Sequence, residues 1–163
     1  MSETRFLGYF ARVNGFYVLI VSGFQRGILR PMRNALIAVG STSIGLAGLF
    51  HVYVFRLESI TWSNPKTWKV FGIRSQEDAD TIQSMAFNQG FYNLFLAIGV
   101  FAGLITLSFN PTIGFTLLIS AALSMIGAGT VLLISVEKSL RAAVLQAGLP
   151  LIGLVLLLIG FAL

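Results

Sequence analysis

Two long runs without a charged side chain dominate the last third of this sequence. Residues 111–134 (PTIGFTLLISAALSMIGAGTVLLI) and residues 143–163 (AVLQAGLPLIGLVLLLIGFAL) contain no Asp, Glu, Lys or Arg. Each run reaches the ~20 apolar residues that an α-helix needs to cross a ~30 Å hydrocarbon core. Pro150 lies inside the second run, where neighbouring helices can satisfy the backbone group that a proline kink frees. The chain is therefore predicted to be an integral membrane protein.

The composition supports the same class. Hydrophobic residues make up 56% of the chain and charged residues only 10%, and the mean hydropathy is +0.86. A soluble domain carries about 25% charged residues. The net charge of +5 would suggest a nucleic acid partner in a soluble protein, but here the arginines adjoin apolar spans. We therefore expect the lipid bilayer, with its anionic head groups, as the partner and no nucleic acid.

Two further spans complete an all-α prediction. Residues 35–57 and 86–108 are apolar over one half and polar over the other. A tight turn at 109–110 makes the spans 86–108 and 111–134 an antiparallel hairpin. The predicted fold is a polytopic bundle of four transmembrane helices plus an N-terminal interfacial amphipathic helix, with domains at 1–34 and 35–163. The basic residues divide evenly between the two sides, so the positive-inside rule leaves the orientation open.

The N-terminal segment is the least regular part of the pattern. Phe6 to Phe24 is mostly apolar but is interrupted by Arg12, which favours an amphipathic helix lying in the membrane interface. A basic segment follows, and we expect its arginines to contact anionic lipid head groups: Arg26, Arg30 and Arg33. The alternative is a fifth span that buries Arg12, at a cost of ~2.5–3.5 kcal/mol.

A polar constellation interrupts the apolar halves. His51 and Glu58 are seven residues apart, so they share one face of a helix. The next span opens with four polar residues on two adjacent stripes: Asn88, Gln89, Tyr92 and Asn93. Because the two spans run antiparallel, His51 is predicted level with Asn93 and Glu58 level with Asn88. These six residues and Trp62 are the candidate ligand-binding residues of a polar pocket that opens towards the 59–85 loop.

Two simpler interpretations remain open. Polar side chains between membrane helices often act only as interhelical hydrogen bonds, at ~0.6 kcal/mol each. Glu58 could also be an interfacial carboxylate that pairs with Arg56 or Lys66. The chain has one histidine and no cysteine, so we expect no metal site, no catalytic residue and no cofactor.

The motifs themselves resemble a known family. "HVYVFRLESITW", then "KVFG" and "NQGFYNLFLAIG", are similar to the uncharacterised bacterial four-helix membrane proteins known as domain of unknown function 1304. The resemblance covers about residues 38–163, and residues 1–34 look like an N-terminal extension. It implies that the marked positions are those of the polar constellation with three additions, Phe71, Gly72 and Gly90. It also implies the inner membrane of a bacterium and carries no activity to transfer.

Three functions compete on these observations. The first is a membrane-embedded small-molecule binding or transport protein, for which we expect a homodimer because four helices are few for a monomeric transporter. The second is a structural or accessory subunit of a larger membrane complex, docked through the N-terminal extension. The third is an intramembrane enzyme that uses His51 and Glu58 as an acid and base pair. About 10 Å of helix separates these two residues, so we favour a protein without enzymatic activity.

Overall fold

The computed structural model describes residues 15–136 and 139–163, and every regular element in these two ranges is a helix. The helices are α1 (Gly15–Ile60), α2 (Pro65–Val70), α3 (Gln76–Thr81), α4 (Gln83–Thr106), α5 (Pro111–Ser135) and α6 (Leu140–Ala162). Among them, α1, α4, α5 and α6 are long and apolar enough to cross a membrane. The predicted all-α class with four apolar spans is confirmed.

Local sequence sets where the shorter helices and α5 begin. The Asn64 side chain accepts a hydrogen bond from the Lys66 amide, with Pro65 at the first helical position of α2. Ser75 caps α3 by accepting from the Asp78 amide, and its hydroxyl donates to the Asp78 carboxylate. Asn110 caps α5. Each cap satisfies a backbone N–H that a helix start leaves free.

The four long helices form a closed antiparallel ring in the order α1, α4, α5, α6. Along α1, Gly48 faces Val100 of α4, while Gly40 lies against Gly153 and Leu157 of α6. Helix α5 completes the ring, with Gly114 against Leu107 of the α4 end and Phe115 stacked edge-on against Phe161 of α6, their ring centroids 4.5 Å apart. The bundle therefore alternates up and down.

The two ends of the bundle differ in content. We call one the loop end: it carries residues 56–82 and the connection between α5 and α6. The other is the arginine end, where Arg33 of α1, the turn from α4 to α5 and the last turn of α6 lie side by side. The core between them contains nine residues, which are almost all small or aliphatic: Ile44, Ala47, Val100, Leu118, Ala121, Ala122, Met125, Leu154 and Leu157.

Helix α1 is longer than any membrane requires. It comprises helical residues 15–24, a π-helical turn over Gln25–Leu29, an α-helix over Arg30–Phe55 and a second π-helical turn over Arg56–Ile60. Because Gly160 near the end of α6 lies against Ile37 and Arg33, residues 15–29 extend beyond the bundle by about 22 Å at 1.5 Å per residue.

This extension bears on the predicted N-terminal helix. Residues 15–24 are helical and continue through the π-helical turn into the first span. Their apolar side chains are exposed, for example Phe16 and Leu19. Residues 6–14 of that prediction lie outside the described residues, and its position in the membrane interface stays a prediction, as does the domain boundary at residue 34.

The long loop folds as a small cap on the loop end. Its centre is a cluster formed by Trp62, Trp68, Ala79 and Ala86. The Trp62 indole donates to the carbonyl of Ala79 over 3.0 Å and its ring lies against Phe71. Gly72 turns the chain between α2 and α3 with a φ of 81°, a conformation that glycine adopts without strain. The 59–85 loop is therefore an ordered part of the fold.

Packing between α1 and α6 predicts a sharp difference between two glycines. A Cβ on Gly153 would lie 2.7 Å from the Gly40 carbonyl oxygen and 2.5 Å from the Ile44 side chain, whereas a Cβ on Gly127 meets nothing within 4 Å. We expect Gly153→Ala to lower the free energy of unfolding by about 1–3 kcal/mol, because two helix backbones must separate. Gly127→Ala should leave it unchanged or raise it by up to about 1 kcal/mol through helix propensity.

Thermal unfolding in detergent, followed by circular dichroism, compares the two variants with the parent. Equal effects of both substitutions would contradict the close backbone contact.

Candidate functional site

Glu58 lies in the π-helical turn Arg56–Ile60 at the end of α1. The turn is closed by the Thr61 amide, which donates to the Arg56 carbonyl five residues back over 2.9 Å. A π-helical turn inserts a residue into an α-helix and so redirects the side chains that follow. Glu58 is buried here, with 6% of its surface exposed, although Arg56 two residues earlier is exposed.

The Glu58 carboxylate is held by an amide from the neighbouring helix. Asn93 Nδ2 donates to Glu58 Oε2 over 2.9 Å and also to the Gln89 carbonyl over 3.0 Å. Both hydrogens of this amide nitrogen are therefore used. Among the described residues, neither Arg56 nor Lys66 forms an ion pair with Glu58, so the interfacial pairing that the sequence left open is not observed in this part of the chain.

Gly90 explains how the two helices come so close. A Cβ on Gly90 would collide with the hydroxyl of Ser59 and would lie 3.1 Å from Cβ of Glu58. Ser59 uses that hydroxyl to donate to the Phe87 carbonyl over 2.8 Å. A side chain at position 90 would push α4 away from the end of α1. It would break the Ser59–Phe87 and Glu58–Asn93 hydrogen bonds.

Next to Glu58 is an open cleft of about 460 Å³ at the loop end. Its lining combines two carboxylates, polar side chains and two aromatic rings: Glu58, Ser59, Trp62, Asp80, Gln83, Ser84, Phe87 and Asn88. Trp62 is fixed by its hydrogen bond to Ala79. The Asp80 side chain accepts from Gln76 on its own helix. The cleft thus lies between the end of α1 and the start of α4, beneath the cap.

His51 does not belong to this cleft. It is fully buried within the bundle, and its Nδ1 lies 2.9 Å from the Ala47 carbonyl oxygen, an arrangement in which Nδ1 carries the hydrogen. Within the described residues its Nε2 has no hydrogen-bond partner. Glu58, rather than His51, reaches Asn93. The expected match between His51 and Asn93 was therefore wrong by about one helical turn, because Gly48 faces Val100 and so places His51 deeper than Asn93. Glu58 lies against Gly90, two residues from the expected Asn88.

The other predicted residues divide between two surfaces. Asn88 lines the cleft together with Glu58 and Trp62. Gln89 and Tyr92 do not line the cleft, and both are exposed, Tyr92 with 68% of its surface. The structure brings Glu58, Trp62, Asn88 and Asn93 together and leaves His51, Gln89 and Tyr92 apart. Their role as ligand-binding residues stays a prediction.

Sequence reasoning missed five of the cleft residues: Ser59, Asp80, Gln83, Ser84 and Phe87. A signal was present: Asp80, Ser84, Phe87 and Asn88 follow the i, i+4, i+7, i+8 spacing of one helix face. The prediction places residues 59–85 in the long loop, so it does not apply this helical spacing to Asp80, Gln83 and Ser84. In the described ranges no three His, Asp or Glu side chains form a group that could hold a metal ion.

The Glu58–Asn93 hydrogen bond predicts unequal roles for two asparagines of α4. Removing the buried amide by Asn93→Ala leaves a buried carboxylate oxygen without its donor, and we expect a loss of about 1–3 kcal/mol in the free energy of unfolding. Asn88→Ala removes an exposed amide and should change it by less than about 0.5 kcal/mol. Unfolding in detergent measures both variants. An Asn88 effect as large as the Asn93 effect would argue against a specific role for the buried bond.

The comparisons with known proteins add the family. No curated protein and no solved structure matches the chain. The family described as protein of unknown function (DUF1304) matches residues 45–158, a stretch that includes α4, α5, the cleft and most of α6. This stretch makes up well over half of the chain and contains the motifs around His51 and Asn88. The chain therefore belongs to the DUF1304 family of proteins of unknown function.

Proposed function

We propose that this protein binds a small organic cation in the cleft at the loop end of its bundle. The observation that carries the proposal is the buried Glu58 carboxylate beside the cleft, which has an amide donor in Asn93 but no cationic partner among the described residues. Burying a carboxylate is costly unless it is paired. A cationic ligand in the cleft would supply the missing charge.

The rest of the lining fits the same chemistry. Asp80 offers a second carboxylate, and Gln83, Ser84 and Asn88 offer hydrogen-bonding groups. Trp62 and Phe87 provide aromatic surface for an apolar body or for a cation near a ring face. A few polar groups beside aromatic walls are typical of small-molecule sites.

The location favours a ligand that has both a charged and an apolar part. The cleft lies where the apolar length of α1 gives way to the cap, so one side of a bound molecule would meet water and the other the bilayer boundary. Towards the arginine end, the bundle is closed by buried core residues such as Ile44, Leu118 and Met125. This packing supports binding more directly than passage across the membrane.

Three molecules that share a phenyl ring and differ in charge test the charge requirement: 2-phenylethylamine, 2-phenylethanol and 3-phenylpropionate. Titration of the purified full chain in detergent, followed by tryptophan fluorescence, should show the amine binding about tenfold or more tightly than the alcohol, since a hydrogen bond to a charged group contributes about 1.5–3 kcal/mol. The carboxylate should bind more weakly still.

Two matched variants locate the binding. Glu58→Gln should remove the preference for the amine, whereas Glu77→Gln, which removes an exposed carboxylate outside the cleft lining, should retain it. Amine binding that survives Glu58→Gln, or that is lost equally in Glu77→Gln, would reject the cleft as the site.

A second candidate, an accessory subunit of a membrane complex, rests on the N-terminal part of α1. Residues 16–21 are apolar and exposed around the whole helix, and Phe16, Tyr17 and Leu19 each expose about 70% of their surface. A helix of this kind beyond the bundle must contact lipid or another protein. In an accessory role, a partner subunit would cover this surface. In a homodimer, a second copy of the chain would cover it.

Native purification in mild detergent separates the two candidates. An accessory subunit should co-purify with a partner in a fixed ratio, and deletion of residues 1–24 should release that partner while Glu58→Gln does not. A full-length chain that purifies alone, and as the same species after the deletion, would reject the accessory role.

An integral membrane location is supported by the four apolar helices, and the bacterial inner membrane stays a prediction from the family resemblance.

A further inference from the structure

The arginine end carries a second cavity, of about 390 Å³, on the side opposite to the loop-end cleft. It is lined by three arginines and two leucines: Arg26, Leu29, Arg30, Arg33 and Leu163. The arginines recur at intervals of four and three residues, so they lie along one side of α1. Leu163, directly after the end of α6, supplies the opposite wall. All of these residues except Leu163 precede the family match at 45–158.

No acidic side chain of the described residues balances the charge of the three arginine side chains at this end. The four acidic residues in the described ranges all belong to the loop end: Glu58, Glu77, Asp78 and Asp80. Arg26, Arg30 and Arg33 make no ion pair with any of them, because about 37 Å of helix or more lies between the arginines and Glu58. Three like charges within two helical turns repel one another. An anion in the cavity would relieve that repulsion.

The position of the cavity relative to the membrane indicates which anion is available to occupy it. The uninterrupted apolar stretch of α1 begins just after Arg33, at residue 35. The apolar stretch of α6 ends at the same level, because Gly160 lies against Arg33 and Ile37. The arginines therefore lie at the boundary of the hydrocarbon core, where lipid phosphates are found. The planar guanidinium group binds phosphate oxygens in pairs, and Leu29 and Leu163 would contact the apolar part of a lipid.

We propose that Arg26, Arg30 and Arg33 form a binding site for the phosphate group of an anionic phospholipid. The bound lipid neutralises the arginine side of α1 and fixes this helix against the end of α6. The site is independent of the loop-end cleft and of any ligand bound there.

Native mass spectrometry of the full chain in a neutral detergent tests the site with dioleoylphosphatidylglycerol as the probe. The triple variant R26Q/R30Q/R33Q should bind this lipid about 100-fold more weakly, since each arginine near a membrane surface contributes about fivefold. The control variant K66Q/K69Q/R74Q removes three exposed cations at the loop end and should bind within about twofold of the parent. Equal losses in the two variants, or no loss in the first, would overturn the proposal.

Two further measurements identify the source of the phosphate and distinguish loss of the site from misfolding. Inorganic phosphate at the same concentration should not displace the bound lipid, and dioleoylphosphatidylcholine should bind more weakly; displacement by phosphate, or equal binding of the zwitterionic lipid, would overturn the assignment to an anionic lipid. The single variant R30Q, which alters the fold least, should weaken binding about fivefold. Unchanged binding in R30Q would also count against the site.

Discussion

Direct contact between helix backbones is the constraint on which this bundle depends. In a bilayer, the hydrophobic effect does not hold helices together, so association relies on close packing and on hydrogen bonds between helices. Gly40 and Gly153 allow α1 and α6 to touch through their backbones, and Gly103 and Gly114 do the same for α4 and α5. These contacts occupy the arginine-end half of the bundle, where large side chains would hold the helices apart.

The same constraint operates at the loop end with a different outcome. Gly90 lets α4 approach the end of α1 so closely that Ser59 can donate to the Phe87 carbonyl. That approach also brings Asn93 to Glu58. The Glu58 carboxylate can therefore remain buried at this depth, because Gly90, three residues before Asn93, lets this donor approach. Close packing and the candidate site share one cause.

The loop-end cleft and the arginine-end cavity are lined by charged side chains of opposite sign. The cleft is lined by the carboxylates of Glu58 and Asp80, and the cavity is lined by Arg26, Arg30 and Arg33. This separation underlies the two proposals, a cationic ligand at one end and an anionic lipid at the other. It also gives the long first helix a role at each end, since its two π-helical turns adjoin the two cavities.

The sequence alone determined the class, the number of spans and the family, because uncharged runs of about 20 residues have one stable solution in a bilayer. It also determined the cap at Ser75, since capping acts within three residues. Tertiary structure decided which polar residues meet. The π-helical turn at Arg56–Ile60 and the close approach at Gly90 pair Glu58 with Asn93, leave His51 deeper in the core and turn Tyr92 outward. Sequence spacing assumes a regular helix and a symmetric register, so an inserted residue and a glycine contact between helices change the outcome in ways that spacing does not encode.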